Sequence, residues 1–171
     1  LNQAVQALKG QKPEEEEYET VVDCDIDAYI PSFYIKNEYQ KLDIYKRISA
    51  IEDEEEYMDM QDELMDRFGD IPKPVENLLR VAALKGLAHR AYVTEVFINR
   101  QEARLTMFAK AKLNAEKIPE LIAGYRGDLK FQSGDSPVFL YTDQRNKNKD
   151  CSSMMEKTKE LLDKLWELTE K

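Results

Sequence analysis

The middle of the chain, between residues 28 and 91, contains closely spaced signals for the starts and ends of helices. Asn37 and Asp53 both favour the N-cap position, and each is followed three residues later by a glutamine or glutamate that completes a capping box. Gly69 suits the left-handed conformation that often closes a helix, and two prolines soon after it force a sharp connection. The predicted helices span about 38–52, 54–68 and 74–91.

Apolar residues recur at helical spacing in each of these segments and predict which face of each helix is buried. The predicted inward-facing residues are Leu42, Tyr45, Ile48 and Ile51 in the first helix, Tyr57, Met60, Leu64 and Phe68 in the second, and Val75, Leu78, Leu79, Ala82 and Ala83 in the third. The segment ahead of them, residues 28–36, is too apolar for a free loop. We predict that it crosses the helices as an extended strap.

Strand signals lie on both sides of the three helices. Residues 19–27 alternate apolar side chains with three aspartates, a pattern typical of a half-buried strand. The other predicted elements are strands at 93–98, 103–109, 129–132 and 138–142, a short helix at about 116–123, and an amphipathic helix from residue 152 onward. The predicted fold class is α+β, with a helical core of four to five helices and short, mostly antiparallel strands and hairpins. The order of the strands stays open.

The first 18 residues differ in character from the rest. Residues 1–9 suggest a helical tail that stops at Gly10, and Pro13 and four glutamates follow. Such a charged, proline-interrupted stretch is typical of a linker. We therefore expect a linker over residues 1–18 and one domain over 19–171. The chain begins with leucine and shows neither a signal peptide nor a membrane-length apolar run, so we expect a piece of a longer cytoplasmic protein.

Charge and cysteine content narrow the classes of function. The formal net charge is −9, which disfavours nucleic acid as a partner because DNA-binding surfaces are usually basic. The concentrated basic patch at 145–149 is interpreted as a solvated loop. Cys24 and Cys151 belong to no metal-binding motif, which is typical of a reduced cytosolic protein. A disulfide between them stays open.

Catalytic motifs are nearly absent from the sequence. There is no phosphate-binding loop, no dinucleotide fingerprint and no nucleophile elbow. His89, the one histidine of the chain, is predicted to be structural because it falls at a helix C-terminus, where a cation is favourable. Asp23, Asp25 and Asp27 do not match an EF-hand loop, because Ala28 and Tyr34 stand where glycine and glutamate are needed.

Three runs of sequence, DAYIPSFYI, LDIYKRISAIEDEEE and DELMDRFGDIPKPVENLLRVAALKGLA, resemble the signature of the C-terminal domain of bacterial transcription-repair coupling factors, the Mfd family. The resemblance is clear from Val21 to Phe108 and looser as far as Lys171. Its most specific part is the run from Glu63 to Gly69, followed closely by Pro72.

The resemblance implies a regulatory role. In the Mfd family, the full protein is an ATP-dependent DNA translocase that displaces stalled RNA polymerase in nucleotide excision repair and recruits UvrA through a UvrB-like N-terminal module. The C-terminal domain folds back onto that module and covers its UvrA-binding surface. By resemblance, Glu63 and Asp66 meet arginines of the UvrB-like module. Arg67 also matches the motif, although it could instead pair within the domain, where Phe68 is expected to anchor the helix end.

The resemblance also implies that this fragment is not an enzyme and needs no cofactor, because ATP and magnesium act in the parent's motor domains. Two alternatives remain open. The domain could be a nucleic-acid-binding accessory using the basic residues of 145–149 and 110–117, or a hydrolase or metal enzyme using the aspartates of residues 23–27 or the helix carboxylates.

Overall fold

The computed structural model describes residues 18–111, 113–143 and 150–169, and within these ranges the chain forms five α-helices and one five-stranded sheet. The helices are α1 (Glu38–Ser49), α2 (Glu54–Phe68), α3 (Lys73–Arg90), α4 (Ile118–Gly124) and α5 (Cys151–Leu168), with a 3-10 turn at Ala115–Lys117. The strands are β1 (Val21–Cys24), β2 (Val93–Ile98), β3 (Glu102–Met107), β4 (Leu129–Gln132) and β5 (Val138–Thr142). The predicted α+β class is confirmed.

The two predicted hairpins lie side by side in one mixed sheet, which answers the question that the sequence left open. The strand order is β1-β2-β3-β5-β4. Strand β1 runs parallel to β2, and every other neighbouring pair is antiparallel. The hairpins join through β3 and β5, whose register pairs Glu102 with Thr142 and Thr106 with Val138. The short edge strand β1 therefore attaches the start of the domain to the sheet.

Buried apolar residues form two clusters, and α3 contributes to both. The helical cluster contains the strap, α1, α2 and the first half of α3, which adds Val75 and Leu79. The sheet cluster contains one face of the sheet, α5 and the second half of α3, which adds Leu84 and Ala88. Helix α3 thus positions α1 and α2 relative to the sheet.

The predicted caps are present. Asn37 accepts hydrogen bonds from the backbone N–H groups of Tyr39 and Gln40, at 2.9 and 3.0 Å, and Asp53 accepts one from Glu56 N–H at 2.8 Å. Gly69 ends α2 with φ at +90°, a conformation that favours glycine. These contacts explain why the helix starts were readable from the sequence.

Helix α1 differs from prediction in its end and in its buried face. It ends at Ser49, not near Glu52, because the backbone at Glu52 lies against Gly86 of α3 and leaves the helical path. Its buried face is centred on Ile44 and Ile48, whereas Leu42 is 55% exposed. Two apolar residues two positions apart point in different directions on a helix, and the predicted stripe included the wrong one.

The strap packs on the helices as predicted, but it is not extended throughout, because residues 32–34 form a turn. It buries only part of its apolar surface. Ile30, Tyr34 and Ile35 are buried in the helical cluster. Tyr29 and Phe33 are exposed instead, at 49% and 73% of their surface.

The predicted tail helix at 1–9 and the basic patch at 145–149 lie outside the described residues. Among the described helices, none combines the length and apolar character needed to cross a membrane.

The close approach at Gly86 gives a stability prediction. A Cβ atom at Gly86 would lie 2.6 Å from the carbonyl oxygen of Glu52, which is rigid backbone. We expect Gly86→Ala to lower the free energy of unfolding by about 2 kcal/mol, because overpacking outweighs the gain in helix propensity. Urea denaturation followed by circular dichroism measures the difference.

Gly124→Ala is the matched control. Gly124 also lies in a helix, but a Cβ atom there would meet nothing within 4 Å. This variant should be unchanged or more stable by up to about 1 kcal/mol. Equal stability of the two variants would show that the contact with Glu52 does not constrain α3.

Candidate functional site on helix α2

The residues predicted to meet a partner lie in the last two turns of α2, and the surrounding structure holds this end of the helix in place. Met60 and Leu64 are buried against the rest of the helical cluster. The hydroxyl of Tyr34 donates to the carbonyl oxygens of Leu64 and Gly69, at 3.1 and 2.9 Å. Phe68 packs near the Tyr34 ring, with the ring centres 5.7 Å apart, as the expected anchor of the helix end. The position of the site is therefore set by the strap.

Glu63 is bound by two arginines of its own domain. Arg47 of α1 donates to both carboxylate oxygens, in a two-point contact whose Nη2–Oε1 distance is 2.6 Å. Arg67, one turn along α2, donates to Oε2 at 2.9 Å. Two-point pairs of this kind are among the stronger hydrogen bonds in proteins. They join α1 to α2 beside the predicted interface.

The arginines change the acidity of Glu63. Hydrogen bonds from Arg47 lower its pKa to about 2, with Arg67 adding to the effect and partial desolvation opposing it. The same contact raises the pKa of Arg47. The negative charge of Glu63 is thus largely compensated within the domain. Arg67 also lies over the Phe68 ring, with its guanidinium carbon 4.9 Å from the ring centre.

Asp66 has a different environment from Glu63. It lies three residues further along α2, and its side chain is exposed. No ion pair joins it to another residue in the described part of the chain. The structure therefore separates the predicted pair: Glu63 braces α2 against α1, while Asp66 is available to a partner.

A groove of about 310 Å³ lies between α1 and α2 next to this cluster. Its lining residues are Arg47, Ala50, Ile51, Glu56, Asp59, Met60 and Glu63. Carboxylates predominate among the charged groups at its edge, which matches the acidic character of α2. The groove therefore presents negative charge on the N-terminal side of Glu63.

The aspartates and cysteines singled out from the sequence lie in β1, just after it and at the start of α5. Asp23, Asp25 and Asp27 are exposed, and no three His, Cys, Asp or Glu side chains of the described ranges are grouped so as to hold a metal ion. Cys24 and Cys151 are free thiols. Burial is the main cause that raises the pKa of Cys24 to about 12 and also raises that of Cys151.

His89 has structural contacts, as expected. The hydroxyl of Thr20 donates to the carbonyl oxygen of Val93 at 2.7 Å, so its oxygen accepts from Nδ1 of His89 at 3.1 Å. Tyr18 stacks between the rings of His89 and Phe108, with centre distances of 4.5 and 4.7 Å, and its hydroxyl donates to the His89 carbonyl oxygen. We call this arrangement the Tyr18 clasp. It fixes the start of the described chain to the end of α3.

Most of the basic residues considered for nucleic-acid binding lie outside the described ranges. Lys110 and Lys117 are exposed, whereas Lys112 and residues 145–149 lie outside the described ranges.

Sequence reasoning missed Arg47 as the main partner of Glu63. The two residues are 16 positions apart on different helices, and no local pattern connects them. The possibility that Arg67 pairs within the domain is confirmed.

The lowered pKa of Glu63 predicts a pH-dependent contribution to stability. Because the pKa falls from 4.5 to about 2 on folding, ionised Glu63 stabilises the fold above about pH 4.5, and this contribution is lost as the pH falls toward 2. We expect Glu63→Gln to cost about 1 kcal/mol at pH 7, since solvent screens a pair at this exposure. Urea denaturation between pH 7 and pH 3 should show the difference from wild type shrinking.

Asp66→Asn is the control for this measurement, since it removes a carboxylate from the same helix end without breaking an ion pair. Its stability should stay within about 0.5 kcal/mol of wild type at pH 7. A constant difference between Glu63→Gln and wild type across the pH range would contradict the assigned role of the arginine pair.

Comparison with known proteins places this arrangement in a family. The family model of the TRCF domain matches residues 24–118, which is more than half of the chain. The transcription-repair-coupling factor of Bacillus subtilis (strain 168) is 39% identical over 123 residues, covering 71% of this chain and 10% of that protein. The factor of Staphylococcus haemolyticus (strain JCSC1435) is 37% identical over 121 residues, covering 69% and 10%. The chain thus spans about a tenth of the length of these curated relatives.

A solved structure agrees at the level of the fold. The crystal structure of the C-terminal domain of transcription-repair coupling factor aligns with a TM-score of 0.67 and 22% identity, over 89% of this chain and 94% of that one. The model match covers the strap, the three helices and the first hairpin, including the turns that carry Glu63 and Asp66. The chain belongs to the TRCF domain family and matches part of the transcription-repair coupling factors, the Mfd family.

Proposed function

We propose that this domain is an autoinhibitory latch of its parent protein, docking on the UvrB-like N-terminal module and covering the surface that UvrA binds. The parent acts as an ATP-dependent DNA translocase that displaces stalled RNA polymerase, with ATP and magnesium held in motor domains outside this chain. The domain itself contributes binding and no catalysis. Its role is to keep the repair partner away until polymerase is engaged.

The observation that carries this proposal is the orientation of α2. Glu63 is bound to Arg47, and the strap hydroxyl of Tyr34 holds the helix end, so α2 presents Asp66 to solvent from a rigid support. A rigid acidic face suits a basic surface on a partner, because no ordering cost is added when the two meet. The net charge of −9 favours the same class of partner.

A weak contact is sufficient for a tethered latch. A flexible connection supplies an effective concentration of about 1 mM, so an intrinsic dissociation constant of about 10 μM keeps the site closed about 99% of the time. That bias corresponds to about 2.7 kcal/mol. Exposed charge pairs contribute about 0 to 1 kcal/mol each, so a few acidic contacts around an apolar centre provide it. A latch of this strength can still open when polymerase binds.

The proposal predicts weak, salt-sensitive binding between this domain and the separately expressed UvrB-like module. Reversing both predicted charges, Glu63→Lys with Asp66→Lys, should abolish binding in isothermal titration calorimetry. Asp66→Lys alone should weaken it about fivefold or more. The single variant is the sharper probe, because a lysine at position 63 would also repel Arg47 and Arg67 and loosen α2.

Asp135→Lys is the matched control, since it makes the same charge change in the exposed turn between β4 and β5, away from the helical cluster. It should bind like wild type apart from a small general charge effect. If Asp66→Lys and Asp135→Lys bind equally well, α2 is not the docking surface. If the wild-type domain shows no binding at all, the latch itself is refuted.

A further inference from the structure

Large apolar side chains are exposed on the outer side of α1. Tyr39 and Leu42 keep 86% and 55% of their surface exposed, and neither contributes to the apolar clusters of the described residues. They lie three residues apart, so the helix brings them side by side. Phe33, 73% exposed, lies in the strap turn next to Ser32, whose hydroxyl accepts from the Lys41 ammonium at 3.3 Å. Single exposed apolar residues are ordinary, whereas neighbouring ones indicate a contact surface.

The charges on this side of α1 follow a symmetrical order. Glu38, Leu42 and Lys46 repeat every four residues, so they form one row along the helix with the leucine at its centre. Glu38 reaches Lys41 at 3.6 Å but keeps 81% of its side chain exposed. Lys46 is exposed and has no ion pair in the described part of the chain. The row therefore runs from an acid through an apolar centre to a base.

The remaining charged residues of α1 are engaged on another side of the helix. Arg47 is bound by Glu63, and this contact is the main cause that raises its pKa. Asp43 adds a smaller effect of the same sign, since it lies one turn before Arg47 on the side that faces α2. These groups leave the order of the row unchanged.

A row of this kind is complementary to itself in one orientation. When two copies of α1 pack antiparallel about Leu42, Glu38 of each copy meets Lys46 of the other, and leucine meets leucine at the centre. Tyr39 borders the centre and adds an aromatic surface from each copy. A parallel arrangement would place like charges together, which is unfavourable. The charge order thus favours a second copy of this chain as the partner, and one orientation of it.

We infer that the α1 outer face, made of Glu38, Tyr39, Leu42 and Lys46, is a self-association surface on which a second copy of this chain packs as an antiparallel pair with twofold symmetry. The occupant is the same face of the other copy. This surface contains no α2 residue, so self-association is independent of the proposed latch.

The contact is small, and its size sets its strength. Helix α1 has 12 residues and is therefore about 18 Å long. One helix pair of that length buries much less than the ~800 Å² per partner of a standard interface, so the dimer is weak and reversible, with a dissociation constant on the order of 100 μM. Exposed ion pairs contribute little affinity, so they set the orientation while Tyr39 and Leu42 supply most of the binding.

Sedimentation equilibrium of the chain from about 10 to about 500 μM covers the range in which such a dimer forms. Tyr39→Gln with Leu42→Gln should raise the dissociation constant about tenfold or more, because the apolar surface is lost while helix propensity is largely kept. Met58→Gln is the matched control, since Met58 is also 55% exposed but lies on α2. It should associate like wild type, and all these variants should unfold at the wild-type urea concentration.

An exchange of charges tests the orientation. Glu38→Lys alone brings lysines together at both ends of the pair, and Lys46→Glu alone brings glutamates together, so each should associate about fivefold more weakly than wild type. An equimolar mixture of these two variants should associate like wild type, because every lysine then meets a glutamate. Lys157→Glu, the same charge change on α5, is the control and should leave association unchanged.

The outcomes are distinct from those of the calorimetric test. A wild-type chain that stays monomeric throughout the range refutes self-association and leaves the latch untouched. Undiminished association of the Tyr39 and Leu42 double variant, or a loss of equal size in Met58→Gln, shows that the α1 outer face is not the surface. Failure of the mixed variants to associate contradicts the antiparallel pair. A domain that self-associates as described but does not bind the UvrB-like module refutes the latch alone.

Discussion

Helix α3 packs into both apolar clusters, and the contact at Gly86 sets how closely the two halves of the domain approach. The backbone at Glu52 lies so near to this glycine that a methyl group could not be inserted between them. The connection from α1 to α2 therefore packs directly against α3. This contact limits the distance between α2 and α3. The position of the candidate site therefore depends on this backbone contact as well as on the strap.

Electrostatics on α2 divides into an internal and an external part. Glu63 directs its charge into the domain, toward Arg47, where it joins two helices. Asp66 and the acidic residues beyond it direct theirs into solvent. A motif that looks like one acidic unit in the sequence thus serves two purposes. The family match covers this motif. Its two carboxylates differ physically, because Glu63 is bound by arginines of the domain and Asp66 is exposed to solvent.

The sequence was most informative where structure depends on neighbours in the chain. Caps such as Asp53 and the positive φ of Gly69 are local, so the helix and strand bounds could be predicted closely. Pairing between β3 and β5 joins segments far apart in sequence, and no local signal encodes it. The exposure of Leu42 and the ion pair between Arg47 and Glu63 could not be predicted for the same reason. Each depends on the orientation of α1 relative to its neighbours.

The Tyr18 clasp has a mechanical consequence. Residues 1–17 join the domain at a tyrosine that is stacked between His89 and Phe108, and β1 follows immediately along the edge of the sheet. A pull on the preceding chain would be borne by these rings and by the hydrogen bonds between β1 and β2. Tension would thus enter through the sheet cluster, and α1 and α2 would remain outside the loaded path.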